Sequence, residues 1–406
     1  MTRLQRSFTP GLIVLAGCLI GLLTFGPRSS IGLFQIPISQ EHGWNREVFS
    51  FAVAIQNLLW GVGQPFAGAL ADRFGTTRVL CGGAILYALG QAFMAYADTP
   101  NELVMTAGVL IGFGLSGCSF NVVLAAFGKM LPEHMRPLAF GAGTAAGSFG
   151  QFLFPPIANQ LIGSIGWMDT TMLFGLTLLL VLPLSIPLAT RSLGQAQAGA
   201  VPQQSIKQAL AEAFRHPSYL LLVIGFFTCG FQLAFITAHM PAYLRDLGLP
   251  ASVGGWTLAL IGLSNAVGSL LSGYWSGRTS KRYLLAAIYL GRSLAVFMFI
   301  MLPASPENSY LFGVLIGLLW LSTVPPTSGL VMLMFGTRYM AMLYGFTFFS
   351  HQLGGFLGVY LGGVLYERTG SYNIVWWLSI GLGIFSALIN LPIREAAVVR
   401  PAANPA

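Results

Sequence analysis

Gly68-Ala-Leu-Ala-Asp72-Arg73-Phe-Gly-Thr-Thr-Arg78 gathers three charges at the junction of two long apolar runs. A segment of the same build, Gly273-Tyr-Trp-Ser-Gly277-Arg278-Thr-Ser-Lys281-Arg282, stands at the corresponding junction in the second half of the chain. Charge confined to short turns between apolar runs is the pattern of a chain whose solvent is lipid, because an ionised side chain in hydrocarbon is costly. Composition agrees. Hydrophobic residues make up 55% of the 406 residues and charged residues 8%, and the mean hydropathy is +0.73. A soluble domain carries about 25% charged residues, so this chain cannot cover a surface that faces water.

A helix needs about 20 apolar residues to cross the hydrocarbon. Working outward from the two charged turns, twelve such stretches are expected: 11–38, 47–71, 79–97, 102–127, 137–163, 170–190, 218–244, 253–276, 283–302, 310–334, 339–365 and 373–392. Arg3 and Arg6 ahead of the first run could mark a signal peptide. The run is too long and has no clear small-residue cleavage site, so it reads as a span. The longest connection, Arg191 to Pro217, is rich in Gly, Ala, Gln and Pro and ends in a short amphipathic stretch around Ile206–Phe214. We expect an N-terminal six-helix bundle over 1–190, a cytoplasmic linker over 191–217 and a C-terminal six-helix bundle with a short tail over 218–406.

Basic residues set the orientation. With the N-terminus inside, Arg3, Arg6, Arg73, Arg78, Lys129, Arg136, Arg191, Lys207, Arg215, Arg278, Lys281, Arg282, Arg338, Arg394 and Arg400 face the cytoplasm, and only Arg46, Arg245 and Arg368 face out. Fifteen against three places both termini in the cytoplasm. The same distribution accounts for the net charge of +8 and removes nucleic acid as a partner. The halves also repeat: Arg136, Ala139, Gly143 and Ser148 recur as Arg338, Ala341, Gly345 and Ser350, at a constant offset of 202. A duplicated six-helix unit supports alternating access, with solute held near mid-membrane between the repeats.

The stretch from Gly68 to Leu80 resembles the signature loop of the major facilitator superfamily, G-x-L-A-D-R-x-G-x-R-x-x-L, and Gly273 opens its weaker echo. A narrower resemblance is to the monocarboxylate and oxalate/formate transporter branch. Lys129 through Gly150 is similar to the fifth-span motif of that branch, and Pro27-Arg28-Ser29 resembles a Pro-Lys-Ser whose lysine takes part in substrate and proton handling. The resemblance also implies an arginine four residues before the glycine of the repeated signature, with an acid one turn earlier. Here those positions hold Ser269 and Asn265.

All twelve carboxylates fall in loops or at helix ends, which argues against proton coupling through a buried acid. Two arginines lie within spans. Arg28 is roughly 25 Å from the cytoplasmic start of its span at 1.5 Å per residue, on a span that lines the cavity in the superfamily. Its planar fork of donors matches a carboxylate, so it reads as a substrate ligand, the alternative being a structural or gating ion pair. Arg292, on a span peripheral in the superfamily, reads as structural. His351 sits about 18 Å into its span beside Gln352. It is either a packing residue or a substrate or proton site able to titrate near neutral pH. His239, near the outer end of its span, suits a gate or interface.

Asn57, Ser119, Asn121, Gln232, Asn265, Ser269, Trp320, Ser322 and Thr323 are the other polar groups at depth. Each is either glue between helices or a ligand if several converge. Phe25, Phe231, Phe235 and Phe348 read as packing or as stacking surfaces. Asp72, Arg73, Arg78 and Arg278 are expected to gate the cytoplasmic side. The Gly141-Ala-Gly143 and Gly354-Gly355 runs follow no strand and so are not phosphate loops. Cys18, Cys81, Cys118 and Cys229 lie in apolar runs without metal-ligand spacing and read as small hydrophobes.

Together these features predict a secondary transporter for a small organic anion, a mono- or dicarboxylate, working by proton symport or anion exchange. One rival is an efflux carrier for amphipathic compounds in the same fold, disfavoured by two deep cations and no deep acid. The other is a membrane enzyme or receptor, for which the loops are too short. No cofactor, metal or catalytic residue is expected. The absence of N-x-[ST] sites and the minimal loops suggest a bacterial inner membrane, and a monomer is expected.

Overall fold

The computed structural model describes residues 8–190, 205–336 and 340–398, so Arg3, Arg6, Arg191, Arg338 and Arg400 lie outside the described residues. Among the described residues the secondary structure is helical throughout. Helix α1 (Pro10–Ser29) begins at Thr9, whose hydroxyl accepts the Leu12 N–H, with Pro10 at the first position. That capping pattern satisfies end donors that hydrocarbon would leave bare. A 3-10 turn, Ile31–Phe34, carries the chain into α2 (Gln35–His42). Asn45 caps α3 (Arg46–Phe74) by accepting the Val48 N–H at 3.2 Å. Gly75, at φ 92°, makes the sharp turn into α4 (Thr76–Met94); this left-handed geometry favours a residue without a Cβ.

The first half continues through α5 (Pro100–Leu103), a π-helical stretch over Val104–Leu110, α6 (Ile111–Gly117), α7 (Phe120–Met130), α8 (Arg136–Leu178) and α9 (Val181–Leu184). The second half holds α10 (Ile206–Arg215), α11 (Pro217–Asp246), α12 (Ala251–Ser276), α13 (Lys281–Met301), α14 (Pro306–Leu318), α15 (Val324–Phe335), α16 (Met340–Thr369) and α17 (Asn373–Asn390). Among the described residues, seven helical stretches are long and apolar enough to cross a membrane: Pro10–His42, Pro100–Met130, Leu138–Leu184, Pro217–Asp246, Ala251–Ser276, Lys281–Met301 and Asn373–Asn390. Within α8, Gly166 leaves helical geometry at φ 85°, ψ 167°, between the stretches expected over 137–163 and 170–190. Large apolar side chains such as Leu15, Phe66, Leu138, Leu176, Leu270 and Leu388 stand exposed on the outside, a surface suited to lipid and not to water.

Two expected stretches, 102–127 and 310–334, are interrupted. The first breaks at Cys118–Ser119 between α6 and α7, and the second over Leu319–Thr323 between α14 and α15. The breaks fall at matching positions under the 202-residue offset of the repeat. Pro325 and Pro326 open α15; proline has no N–H to give to a helix continuing through it.

Three hydrophobic clusters organise the interior. One, including Phe226, Phe235, Tyr289, Trp320 and Trp376, is drawn wholly from the second half. Another, including Ile20, Leu80, Val123 and Phe127 near the Arg73 end of α3, is drawn wholly from the first. The third lies toward the Arg46 end and mixes the two: Ile31, Phe34, Phe49 and Val53 pack with Ala234, Ala238 and Val359. Close backbone approach supports that mixed packing. A Cβ on Gly32 would collide with the Thr237 and Ala238 carbonyls, and one on Gly363 would collide with the Ser50 side chain. The two halves therefore meet tightly at the Arg46 end of the bundle.

Candidate functional site

Arg28 occupies the last turn of α1, next to the 3-10 turn, and is only 8% exposed. Its Nη2 donates to Asn57 Oδ1 at 2.8 Å, and Asn57 in turn donates Nδ2 to the Val53 carbonyl at 2.9 Å. Arg28 Nε and Nη1 are buried without a partner. A buried donor left unpaired costs about 1–3 kcal/mol, more when charged. The guanidinium thus projects unused, oriented donors into a dry place, which is what an anion would satisfy.

Asn57 and Gly61 of α3 face α16. A Cβ on Gly61 would meet the Gln352 side chain, and one on Gly355 would lie in ordinary contact with Asn57. An aromatic series runs along the same junction. Phe25 packs edge-on to Trp60 with centroids 6.3 Å apart, Trp60 edge-on to Phe348 at 5.7 Å, and Phe348 stacks on His351 at 5.7 Å. His351 Nδ1 lies 3.1 Å from Gln352 Oε1, and Gln352 Nε2 is buried without a partner. Arg28, His351 and Gln352, expected as site residues, thus line one junction between α1, α3 and α16, together with Asn57 and Trp60.

A second polar group gathers at the break between α14 and α15. Arg292, fully buried, donates Nε to the Leu319 carbonyl at 2.9 Å and Nη2 to the Leu319 carbonyl at 2.7 Å and to the Trp320 carbonyl. Helix ends leave carbonyls unpaired, and this guanidinium caps two of them. Gln232 donates to the Ser379 carbonyl at 2.9 Å. Asn265 Oδ1 accepts the Leu321 N–H at 3.1 Å and the Ser269 hydroxyl at 3.0 Å, and its Nδ2 donates to Ser148 Oγ at 3.0 Å. Gln232, Asn265, Ser269 and Trp320, also expected as ligands, thus have partners within the protein: Asn265 and the Trp320 carbonyl at the broken helix, Ser269 on Asn265, and Gln232 on α17. Asn121 stands apart, exposed on the first turn of α7.

At the Arg73 end, Arg73, Arg78 and Arg278 are exposed. Arg73 lies 5.2 Å from the ring centroid of Phe74 and Arg278 lies 3.7 Å from that of Tyr274, contacts within their own helix ends. The side chain of Asp72 lies outside the described residues.

The Arg46 end holds a network that sequence reasoning passed over as loop charge. Arg46 Nη1 and Nη2 donate to Asp246 Oδ2 and Oδ1, each at 2.6 Å, joining the start of α3 to the end of α11. Glu367 of α16 accepts the Arg46 backbone N–H at 2.7 Å, and the guanidinium stacks 3.9 Å over Tyr366. Arg46 Nη1 also donates to Tyr372 Oη at 3.0 Å. His239 lies behind Tyr372, with Nδ1 3.2 Å from its hydroxyl and Nε2 2.9 Å from the Val359 carbonyl. Gln35 of α2 completes the set, its Nε2 3.4 Å from both His239 Nδ1 and Ser50 Oγ. The signal available in the sequence was scarcity: Arg46 is one of only three basic residues expected on that side.

A family model described as the Major Facilitator Superfamily matches residues 17–359. The chain is similar to an uncharacterized MFS-type transporter, YcxA, of Bacillus subtilis (strain 168), with 28% identity over 380 residues that cover 92% of this chain and 91% of that one. It is also similar to monocarboxylate transporter 13 of Rattus norvegicus, 25% identical over 394 residues, covering 94% and 88%. Among solved structures, a D-xylose–proton symporter superposes with a TM-score of 0.73 at 16% identity over 95% of this chain and 98% of that one. A bacterial homolog of the human lysosomal transporter Spinster, in an inward-facing and occupied conformation, matches with the same score and identity over 95% and 97%.

Proposed function

The chain belongs to the Major Facilitator Superfamily, and from that premise we propose that it carries a small organic anion, a mono- or dicarboxylate, across a bacterial inner membrane with Arg28 as the anion's principal ligand. The observation that carries this reading is the buried Arg28 guanidinium, held by Asn57 on one nitrogen and unpartnered on the other two. A carboxylate bound there takes two charge-assisted bonds at once. The aromatic series Phe25, Trp60 and Phe348 suits the apolar body of such a solute. The resemblance of Pro27-Arg28-Ser29 to the monocarboxylate branch, and the similarity to a monocarboxylate transporter, support the substrate class.

In this reading twelve helices span the membrane as two six-helix units joined by a cytoplasmic linker over 191–217, with both termini inside and the monomer as the working unit. The Arg46 end then faces out. Its tight packing of the two halves, beside separate hydrophobic clusters elsewhere, corresponds to a carrier closed outside and parted inside. Asp72, Arg73, Arg78 and Arg278 form the cytoplasmic gate of the same cycle.

Arginine stays protonated at physiological pH, so Arg28 does not release a proton. We favour symport, with the proton on His351 or on the substrate, over exchange for a second anion. Uptake into proteoliposomes separates the two. Under symport an inward pH gradient drives accumulation, and His351→Gln abolishes that drive while leaving exchange if the imidazole carries the proton. Uptake that depends strictly on preloaded anion and ignores the gradient contradicts symport.

A further inference from the structure

We propose that His239 is a proton-binding site that locks the Arg46 end of the bundle when neutral and releases it when protonated. The Val359 carbonyl can only accept, so Nε2, 2.9 Å away, carries the ring hydrogen. Nδ1 then offers a lone pair, and it faces two donors: the Tyr372 hydroxyl at 3.2 Å and the Gln35 carboxamide nitrogen at 3.4 Å. A protonated ring has no lone pair at Nδ1 and must donate there. Tyr372 Oη already accepts from Arg46, and the Gln35 nitrogen cannot accept at all. The buried Gln35 Oε1, without a partner here, can receive that proton only if the carboxamide turns. Turning withdraws its nitrogen from Ser50.

The surroundings set the direction of the effect. Arg46, on α3, lies one hydrogen bond beyond the ring through Tyr372 of the α16–α17 turn. The carboxylates nearby, Asp246 at the end of α11 and Glu367 of α16, are both bound to Arg46. The remaining neighbours are uncharged: Phe235 one turn back on α11, Gln35 on α2 and the α16 backbone at Val359 and Gly362. Protonation therefore places a charge on a fully buried ring that no carboxylate reaches by hydrogen bond. The contacts that must rearrange, between Gln35 and His239 and around the Tyr372 hydroxyl shared by His239 and Arg46, join the first half of the chain to the second. The closed arrangement consequently binds a proton worse than an open one, and by reciprocity protons favour opening. With the orientation taken under the proposed function, external acid opens the outer side. The lock itself rests on neither that orientation nor the identity of the solute.

The test uses purified full-length protein in nanodiscs, with nitroxide labels on Tyr96→Cys and Ala304→Cys in a background lacking the four native cysteines. Both positions are exposed at the Arg46 end, one in each half. Pulsed electron–electron distance measurement is made from pH 8 to pH 5. The expected result is a short distance at pH 8 and a growing long-distance population as pH falls. His239→Gln removes the pH response, and His351→Gln keeps it. Tyr372→Phe, which deletes both bonds of the shared hydroxyl, shows the long distance already at higher pH. A distance that ignores pH in the unmutated protein, or a response that survives in His239→Gln, overturns the proposal. Repeating the titration on sealed proteoliposomes from each side in turn tests the orientation separately.

Discussion

Arg46 grips both carboxylate oxygens of Asp246 at 2.6 Å, although the two residues stand 200 positions apart in the chain. The side chains are 15% and 29% exposed, and an isolated pair so exposed contributes only about 0.2–1 kcal/mol. This pair is fork to fork and tied to Glu367, Tyr366 and Tyr372, so its effect falls on the balance between conformations. Asp246→Asn is expected to speed labelling of Ala238→Cys by an impermeant maleimide added from the Arg46 side several-fold, and Arg46→Asp combined with Asp246→Arg is expected to restore part of the protection. Equal labelling rates in the single variant and the parent would remove Arg46 and Asp246 from the closing of that end.

Arg292 holds the carbonyls of Leu319 and Trp320 where α14 gives way to α15. Removing the guanidinium leaves two buried acceptors, each worth about 1–3 kcal/mol unpaired. Arg292→Met is expected to lower the melting temperature of the detergent-solubilised protein markedly, while the folded fraction still binds anion with near-normal affinity. A variant that melts normally but fails to bind would make Arg292 a ligand.

Asp72 lies in the last turn of α3, beside the charged junction with α4. An acid there can favour the positive N-terminal end of a neighbouring helix. Asp72→Asn is expected to shift the population toward inward-open and slow turnover with little loss of binding. Cysteine accessibility measured from both faces reads that shift, and a pattern identical to that of the parent counts against a latch at this turn.

The fold was legible because hydropathy and charge placement are properties of long segments. The charged turns at Asp72 and Arg278 and the 202-residue repeat needed no pairing information. The site was legible only in part. Arg28 announced itself as a charge deep in an apolar run, and the energetic penalty for such a placement is what made it readable. Asn265 and Gln232 looked like equally good ligands, because a sequence does not say where a side chain's bonds go. Their partners are backbone groups, Ser379 of α17 for Gln232 and, for Asn265, Leu321, exposed by a helix break inside the apolar stretch 310–334. Hydropathy does not mark that break, since Leu319, Trp320 and Leu321 are as apolar as their helical neighbours; Pro325 and Pro326 were the usable hint. The Arg46 network was hidden for another reason. Its members come from five separate helices and turns, and each alone is an ordinary charge or aromatic near a loop.

The claim that Arg28 binds the solute is tested most directly by isothermal titration. A thermal-shift screen of mono- and dicarboxylates against the purified protein first identifies the anion to be used, and that anion is then titrated into the parent, Arg28→Ala and Arg28→Lys. Losing one partner of a desolvated charge pair costs about 2–5 kcal/mol, which is more than a factor of ~10 in affinity. Arg28→Ala is therefore expected to bind well over tenfold more weakly, with Arg28→Lys intermediate because a point charge replaces a planar fork. Unchanged affinity in folded Arg28→Ala would contradict the assignment and, with it, the account of this protein as an anion carrier built around that residue.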